Sequence, residues 1–227
     1  MGFALSRRLF LLFSLLLPGL CFWIYFLSDL GGVLPKVVYA SGKVFLLVAP
    51  LLYWRKSELV EGLRLRSLSS GQLLLSLASG VVFFAFIVLA SKFIPSEIVE
   101  MGREKIWAKV ADLGIQDHLK LFFLFLCVFH SFLEEYYWRT FLFSELEKRL
   151  GFPWASLVAS LAFTLHHFLL CYFYFGLLWG VLSAVGVMVA GLFWCYLLYR
   201  SNSIVSPWIS HFFADAAIVY VAYQYFL

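Results

Sequence analysis

Long apolar runs separated by short polar segments make up almost the whole sequence. A run of about 20 apolar residues is long enough for a helix to cross a bilayer. The runs predict membrane-spanning helices at about residues 9–27, 37–54, 72–93, 121–143, 153–168 and 177–199, and a last one that begins at Pro207. The pattern therefore predicts an all-α, polytopic transmembrane helix bundle of about seven spans, within a range of six to eight.

Two segments depart from this simple alternation. Residues 96–120 mix five acidic and four basic residues with apolar residues at near-helical spacing, which is typical of an amphipathic helix on a membrane surface. We interpret this helix as a solvated connector on the far side of the membrane, and a substrate gate is the alternative. The aromatic stretch 171–175 is expected to be a loop or an interfacial belt before the next span.

The composition predicts that a membrane domain takes up nearly all of these residues. Of 227 residues, 63% are hydrophobic and only 13% are charged, and the mean hydropathy of +0.93 lies far above that of soluble domains. Seven spans leave little chain for a soluble domain. We therefore expect a single membrane domain over residues 1–227.

The positive charge of the chain serves orientation rather than nucleic-acid binding. The net charge is +4, but the basic residues flank apolar runs, where they set the topology of membrane proteins. We expect no nucleic-acid partner. The most basic segment should be cytoplasmic, and so should the N-terminus, which carries Arg7 and Arg8. The basic residues of that segment are Arg55, Lys56, Arg64 and Arg66.

One cation, Lys43, lies inside the second apolar run. A lysine in a membrane helix can keep its stem in the apolar region and extend its ammonium group to the interface. We interpret Lys43 as extending towards the nearer interface. Pairing inside the bundle is the alternative.

Few acidic residues lie at membrane depth. Ten of the 13 acids fall in turns, loops or helix flanks, and only Glu134, Glu135 and Asp215 lie within apolar runs. A charged side chain at this depth costs roughly 2.5 to 3.5 kcal/mol, so such residues face the protein interior and mark functional sites. Four of the five histidines also lie in or at the ends of spans, and we expect the acids and histidines to meet in one site. These histidines are His130, His166, His167 and His211.

The spacing of these residues divides their roles. Glu135 and Arg139 are four residues apart on a helix and can form an ion pair, which leaves Glu134, about 100° around the axis, free to face another helix. His211 and Asp215 share one face of the last span by the same spacing.

Phe163 and His167 are also four residues apart. One carboxylate and two histidines on three helices form a set that can activate water, namely Glu134, His167 and His211. We interpret His130 and His166 as packing or hydrogen-bonding residues, one of them beside the site.

Three spaced motifs resemble those of a known family. Glu134-Glu135-x-x-x-Arg139, Phe163-x-x-x-His167 and His211-x-x-x-Asp215, in this order on separate apolar segments, are similar to the motifs of the CPBP family of intramembrane proteases. This family includes the type II CaaX prenyl endopeptidases and the bacterial Abi proteins. The resemblance covers about residues 119–227, and the earlier spans match only as generic helices.

The resemblance implies peptide-bond hydrolysis within a membrane cavity. By this analogy Glu134 is the general base that activates water, His167 helps to hold that water, and His211 and Asp215 stabilise the oxyanion. Glu135, Arg139 and Phe163 are structural or support the site. In the CaaX-cleaving branch the last motif typically ends in Asn, whereas an ionised Asp215 cannot donate a hydrogen bond. Bacterial members also have Asp, which leaves Asp215 to fix the tautomer of His211 or to ligate a metal.

The resemblance also leads to expectations about the cofactor, the partners and the location of the protein. We expect no cofactor and prefer a glutamate mechanism, and the alternative is a zinc ion held by Glu134, His167 and His211. The expected substrate is a membrane-embedded or lipid-tethered peptide or protein, in contact with the lipid bilayer. The expected location is a bacterial inner (plasma) membrane.

Two other classes of function remain open from the sequence. The same residues could form the relay of a proton-coupled transporter, although the repeated halves of many transporters are not visible. A non-catalytic membrane scaffold or an immunity protein is the other alternative.

Overall fold

The computed structural model describes residues 2–28, 30–55, 58 and 61–227, with side chains from residue 7 onwards. Lys56, part of the predicted basic segment, lies outside these residues. All regular elements of the described chain are helical, which confirms the predicted all-α class. The first five are α1 (Gly2–Leu27), α2 (Leu34–Tyr53), α3 (Ser70–Ser91), α4 (Ser96–Leu113) and α5 (Gln116–Leu150).

A hairpin of two helices follows α5. The stretch Phe152–Ser201 is helical except at Gly176, whose φ of 79° and ψ of −178° lie in a region open essentially to glycine alone. Gly176 therefore separates α6 (residues 152–175) from α7 (residues 177–201). The two halves run antiparallel. Thr164 contacts Met188, and the ring centroids of Phe152 and Tyr199, at the far ends of the hairpin, lie 4.8 Å apart.

The last helix, α8, is Val205–Tyr225. One predicted feature of the hairpin needs correction. Helix α6 extends through residues 171–175, so these residues are not a loop, and the turn is made at Gly176 alone.

The helix lengths agree with the predicted number of spans. Five described helices are long and apolar enough to cross a membrane, counting Phe152–Ser201 once, and the pair α4–α5, bent by 97°, is a sixth if it counts as one span. Each half of the hairpin is longer than the roughly 20 residues that a span requires. Counting α6 and α7 separately gives about seven spans in the described chain.

Small residues bring α3 against α8. Ser76 and Ser206 share a hydrogen bond of 2.7 Å between their hydroxyls, and Ser79 donates one of 3.0 Å to Ser210. Close helix contact through small residues is typical of membrane proteins, where apolar side chains gain nothing by leaving lipid. Many other side chains of α3 are exposed leucines, valines and phenylalanines. This helix therefore forms a lipid-facing wall of the bundle.

Helix α4 lies across one end of the bundle, where the sequence predicted an amphipathic helix. It ends at Gly114, which has a left-handed φ of 65°, and the chain then turns into α5. Arg103 donates to the carbonyl of Tyr225 at 2.7 Å, and Lys105 donates to that of Phe173 at 2.5 Å. These contacts tie α4 to the ends of α6 and α8.

The opposite end of the bundle carries the groups predicted to be cytoplasmic. Arg7 donates to the carbonyl of Tyr53 at 3.3 Å, and Arg149 donates to the Tyr53 hydroxyl at 2.8 Å. Trp54 donates to Glu145 at 3.2 Å. The N-terminal helix, the start of the basic segment and the end of α5 therefore share one end.

The core is the second half of α5. All residues of Glu135–Phe143 are buried, and they face α1 and α2 as well as the helix hairpin. Tyr137 donates to the carbonyl of Ser14 at 2.6 Å, and Tyr136 donates to that of Leu47 at 3.3 Å. This packing holds the segment that carries the motif residues.

Candidate active site

The winding of α5 changes on both sides of Glu134. Leu126–His130 and Glu135–Phe143 are π-helical, and Ser131–Glu134 between them is α-helical. Such wide turns in a helix often occur at functional sites. They shift the side chains of this segment away from the directions that a regular α-helix would give them.

Glu134 lies at the junction of three helices. It is 2% exposed, and its Oε1 is 3.3 Å from Nε2 of His130 and 3.4 Å from Nε2 of His166. Its Oε2 is 3.7 Å from Nε2 of His211. These histidines belong to α5, α6 and α8, so the three helices that carry the acids and histidines at membrane depth do meet.

Glu135 links two of the predicted motifs. Its Oε1 lies 3.2 Å from Arg139, which confirms the predicted pair, and 2.8 Å from Nδ1 of His211. Since the buried Nδ1 atom faces a carboxylate, the arrangement fits an Nδ1–H that donates to Glu135. Nε2 of His211 then points towards Glu134 and towards Asp215, whose Oδ1 is 3.6 Å away. The Nδ1 contact that would fix the tautomer is therefore made by Glu135 and not by Asp215.

Aromatic rings fix the planes of the buried groups. Trp194 of α7 stacks on His211 with a centroid distance of 4.0 Å, and its indole N–H donates to Ser210 at 3.1 Å. The Arg139 guanidinium lies over Phe163 at 4.2 Å and over Trp194 at 5.0 Å. No pattern in the sequence singles out Trp194, because only the folded hairpin brings α7 beside α8.

His167 takes the place that the spacing predicted. Its Nδ1 is 3.0 Å from the carbonyl oxygen of Phe163, four residues earlier, and its ring centroid lies 4.1 Å from that of His166. If Nδ1 donates to this carbonyl, Nε2 is free to act on a ligand or on water.

Three donors of the site are close enough to share a metal ion. One ligand atom each of Glu134, His166 and His167 lies within 4.8 Å of the others. Two histidines and a glutamate are a donor set that catalytic zinc sites use, so these residues fit a metal. The set differs from the predicted one, because His166 replaces His211.

Two histidines contact Glu134 more closely than the sequence indicated. The interpretation of His130 and His166 as packing or hydrogen-bonding residues fits these contacts, but it places only one of them beside the site, whereas both contact Oε1 of Glu134. The four-residue spacing of His130 and Glu134 was a signal for the first contact. No comparable signal existed for His166, because its direction depends on how α6 is rotated against α5.

The site is most accessible along one side. His130 and Asp215 have side chains that are 19% and 18% exposed, and His167 is also partly exposed. Glu134, Glu135 and Arg139 are buried beneath them. Glu134 is therefore screened from the outside of the bundle by these partly exposed residues.

The fold and this cluster define a multi-pass membrane protein with a buried carboxylate–histidine centre. Residues 116–217 match the family model described as type II CAAX prenyl endopeptidase, Rce1-like. That range contains every acid and histidine of the site, so the whole site lies within the part of the chain that resembles this family. The match confirms the family resemblance of the three motifs. Neither the search of curated proteins nor that of solved structures found a match.

Proposed function

We propose that the protein is an intramembrane endopeptidase that hydrolyses a peptide bond of a membrane-embedded or lipid-tethered peptide or protein. The observation that carries this proposal is the buried Glu134 carboxylate with histidines at both of its oxygens, contributed by three helices. The family match supports it, because the matched region contains this cluster.

In this proposal Glu134 is the general base. It takes a proton from water while the water oxygen forms a bond to the carbonyl carbon of the substrate. His130 and His166 hold the carboxylate at Oε1, and His167 faces the water with Nε2. The C–N bond then breaks, and the proton passes from Glu134 to the leaving nitrogen, so that protons balance over the reaction.

His211 has the geometry for the second half of this chemistry. With Nδ1 held by Glu135, its Nε2 faces the cluster and can donate a hydrogen bond to the developing oxyanion when it carries a proton. Asp215 contacts the same nitrogen at 3.6 Å and as a carboxylate can only accept. Its proposed role is to orient His211, while Arg139 balances the charge of Glu135.

The zinc version of the mechanism uses overlapping residues. Glu134, His166 and His167 would hold the ion, and the metal would supply Lewis-acid activation of the bound water or carbonyl. We prefer the glutamate version, because Oε1 of Glu134 already has two imidazole partners that orient it as a base.

The proposed location rests on the family resemblance and on the distribution of basic residues. We propose that the protein lies in a bacterial inner membrane with its N-terminus in the cytoplasm. The clustering of Arg7, Arg149 and the start of the basic segment at one end of the bundle supports this orientation.

The test is cleavage of a panel of membrane-tethered peptides by the purified protein. Glu134→Gln is nearly isosteric and should abolish cleavage without unfolding the protein, whereas Glu104→Gln, on an exposed residue of α4, is the matched control and should cleave normally. Cleavage that depends on Glu134 and survives a zinc chelator supports the glutamate mechanism. Loss on chelation with recovery on added zinc supports the metal version, and full activity of Glu134→Gln would refute both.

A further inference from the structure

Lys43 is a cation of α2 that the proposed mechanism does not use. It lies midway along Leu34–Tyr53, where the sequence suggested that its ammonium reaches towards the interface. That interpretation is wrong: the ammonium lies over the rings of Phe22 at 5.2 Å and Tyr39 at 5.5 Å. The side chain therefore points into the bundle.

The ammonium faces a small cavity that adjoins the active site. Lys43 lines this cavity together with His166 and with Trp138, the ring that stacks on His166. His166 is in turn 3.4 Å from Glu134. One wall of the cavity is thus formed by a residue that contacts the proposed general base.

No hydrogen bond or ion pair engages the Lys43 ammonium among the residues that the structure describes. The carboxylates of Glu134 and Asp215 act on it only through space. An ammonium group has three N–H donors, and in a low-dielectric interior a charge without direct polar partners is strongly unfavourable. The cavity holds about 10 Å³, room for a single water-sized group such as one oxygen atom of a ligand.

We propose that Lys43 binds a carboxylate of the peptide substrate. This inference rests on the proposed peptidase function and deepens it. One oxygen of the carboxylate would enter the cavity beside His166, which itself lies 3.4 Å from Glu134. The enzyme would then prefer peptides that carry a negative group close to the bond that is cut, either the C-terminal carboxylate or an acidic side chain.

Three versions of one membrane-tethered peptide separate these sources. The first ends in a free carboxylate, the second in an amide, and the third in an amide with a Glu next to the scissile bond. We expect the wild type to show a KM about tenfold lower for at least one acidic version than for the neutral amide, the size of effect of one hydrogen bond to a charged group. The version with the lower KM identifies the source of the carboxylate.

Substitution of Lys43 should remove this preference selectively. Lys43→Met keeps the length of the side chain and should raise KM for the acidic peptides about tenfold while it leaves the neutral peptide unchanged. Lys43→Arg should retain part of the preference. Lys92→Met, on an exposed lysine at the end of α3, is the matched control and should behave as the wild type.

A binding measurement keeps this inference separate from the proposed function. The Kd values of the three peptides are measured on Glu134→Gln and on the double variant Glu134→Gln/Lys43→Met, where no turnover is expected. An acidic preference that disappears with Lys43 supports the subsite even if the wild type cleaves none of the peptides. Equal Kd values for all three peptides, or equal losses for all three in the double variant, would overturn it.

Discussion

Replacing Glu135 with Gln should lower the thermal stability of the protein far more than replacing its neighbour Glu134 with Gln. Glu135 is fully buried, and its Oε1 contacts both Arg139 at 3.2 Å and His211 at 2.8 Å. Arg139 is 1% exposed, and the two terminal nitrogens of its guanidinium make no hydrogen bond within the described residues. Glu135 is thus the main counter-charge of a buried cation.

The expected loss follows from that geometry. Removing one partner of a buried ion pair typically costs about 3–5 kcal/mol, since the other charge stays buried without compensation. At about 2–4 °C per kcal/mol for a chain of this size, the midpoint of thermal unfolding in detergent should fall by roughly 6–20 °C. Glu134→Gln should change this midpoint by only a few degrees, because its partners are histidines that can be neutral.

The control for this prediction removes both charges. The double variant Glu135→Gln/Arg139→Met should recover more than half of the lost thermal stability, because no uncompensated cation remains. An unchanged midpoint for Glu135→Gln alone would show that the pair with Arg139 does not carry the charge balance of the core. Equal losses for Glu134→Gln and Glu135→Gln would refute the division of roles between the two carboxylates.

Three further changes test the site and the fold. Trp194→Leu removes the ring that stacks on His211 at 4.0 Å and should lower kcat about 3- to 10-fold with little change in KM. Trp194→Phe retains an aromatic ring and should keep most of the activity. Equal kcat values for the wild type and the Leu variant would argue against this positioning role. Gly176→Ala forces a side chain into a backbone conformation with φ of 79° and should lower the free energy of unfolding by about 1–3 kcal/mol. An unchanged midpoint of thermal unfolding would argue against a strained turn. Asp215→Asn should keep at least a tenth of the wild-type kcat, because an amide retains an acceptor oxygen and adds donors. Asp215→Ala should lose more activity than this. An Asn variant as inactive as the Ala variant would show that the negative charge is required.

The features that the sequence predicted well are those with a local cause. Helical periodicity fixes which residues share a face, so the pairs of Glu135 with Arg139 and of His211 with Asp215 could be read from their spacing. Both pairs are present at 3.2 and 3.6 Å. The amphipathic segment and most spans were likewise visible as patterns within one element.

The features that the sequence missed depend on how helices pack. Whether His166 or His167 contacts Glu134 is set by the rotation of α6 about its axis, and adjacent histidines give no preference. The contact of His211 with Glu135 joins residues 76 positions apart. Lys43 points inward, beside a cavity between α1, α2, α5 and α6. The sequence of α2 alone does not reveal this cavity.

The charges of the whole site suggest how it works in a membrane. Among the described residues at its centre, the three carboxylates of Glu134, Glu135 and Asp215 face two cations, Arg139 and Lys43. His211 adds a third positive charge when its Nδ1–H donates to Glu135 and its Nε2 also carries a proton, and the net charge of these groups is then zero. An apolar environment disfavours a net buried charge. The proton that Glu134 takes from water leaves the net charge of the site unchanged, because the same step places a negative charge on the oxyanion beside His211. Because that proton later leaves on the product nitrogen, the site can return to its initial state without moving any other charge across the bilayer.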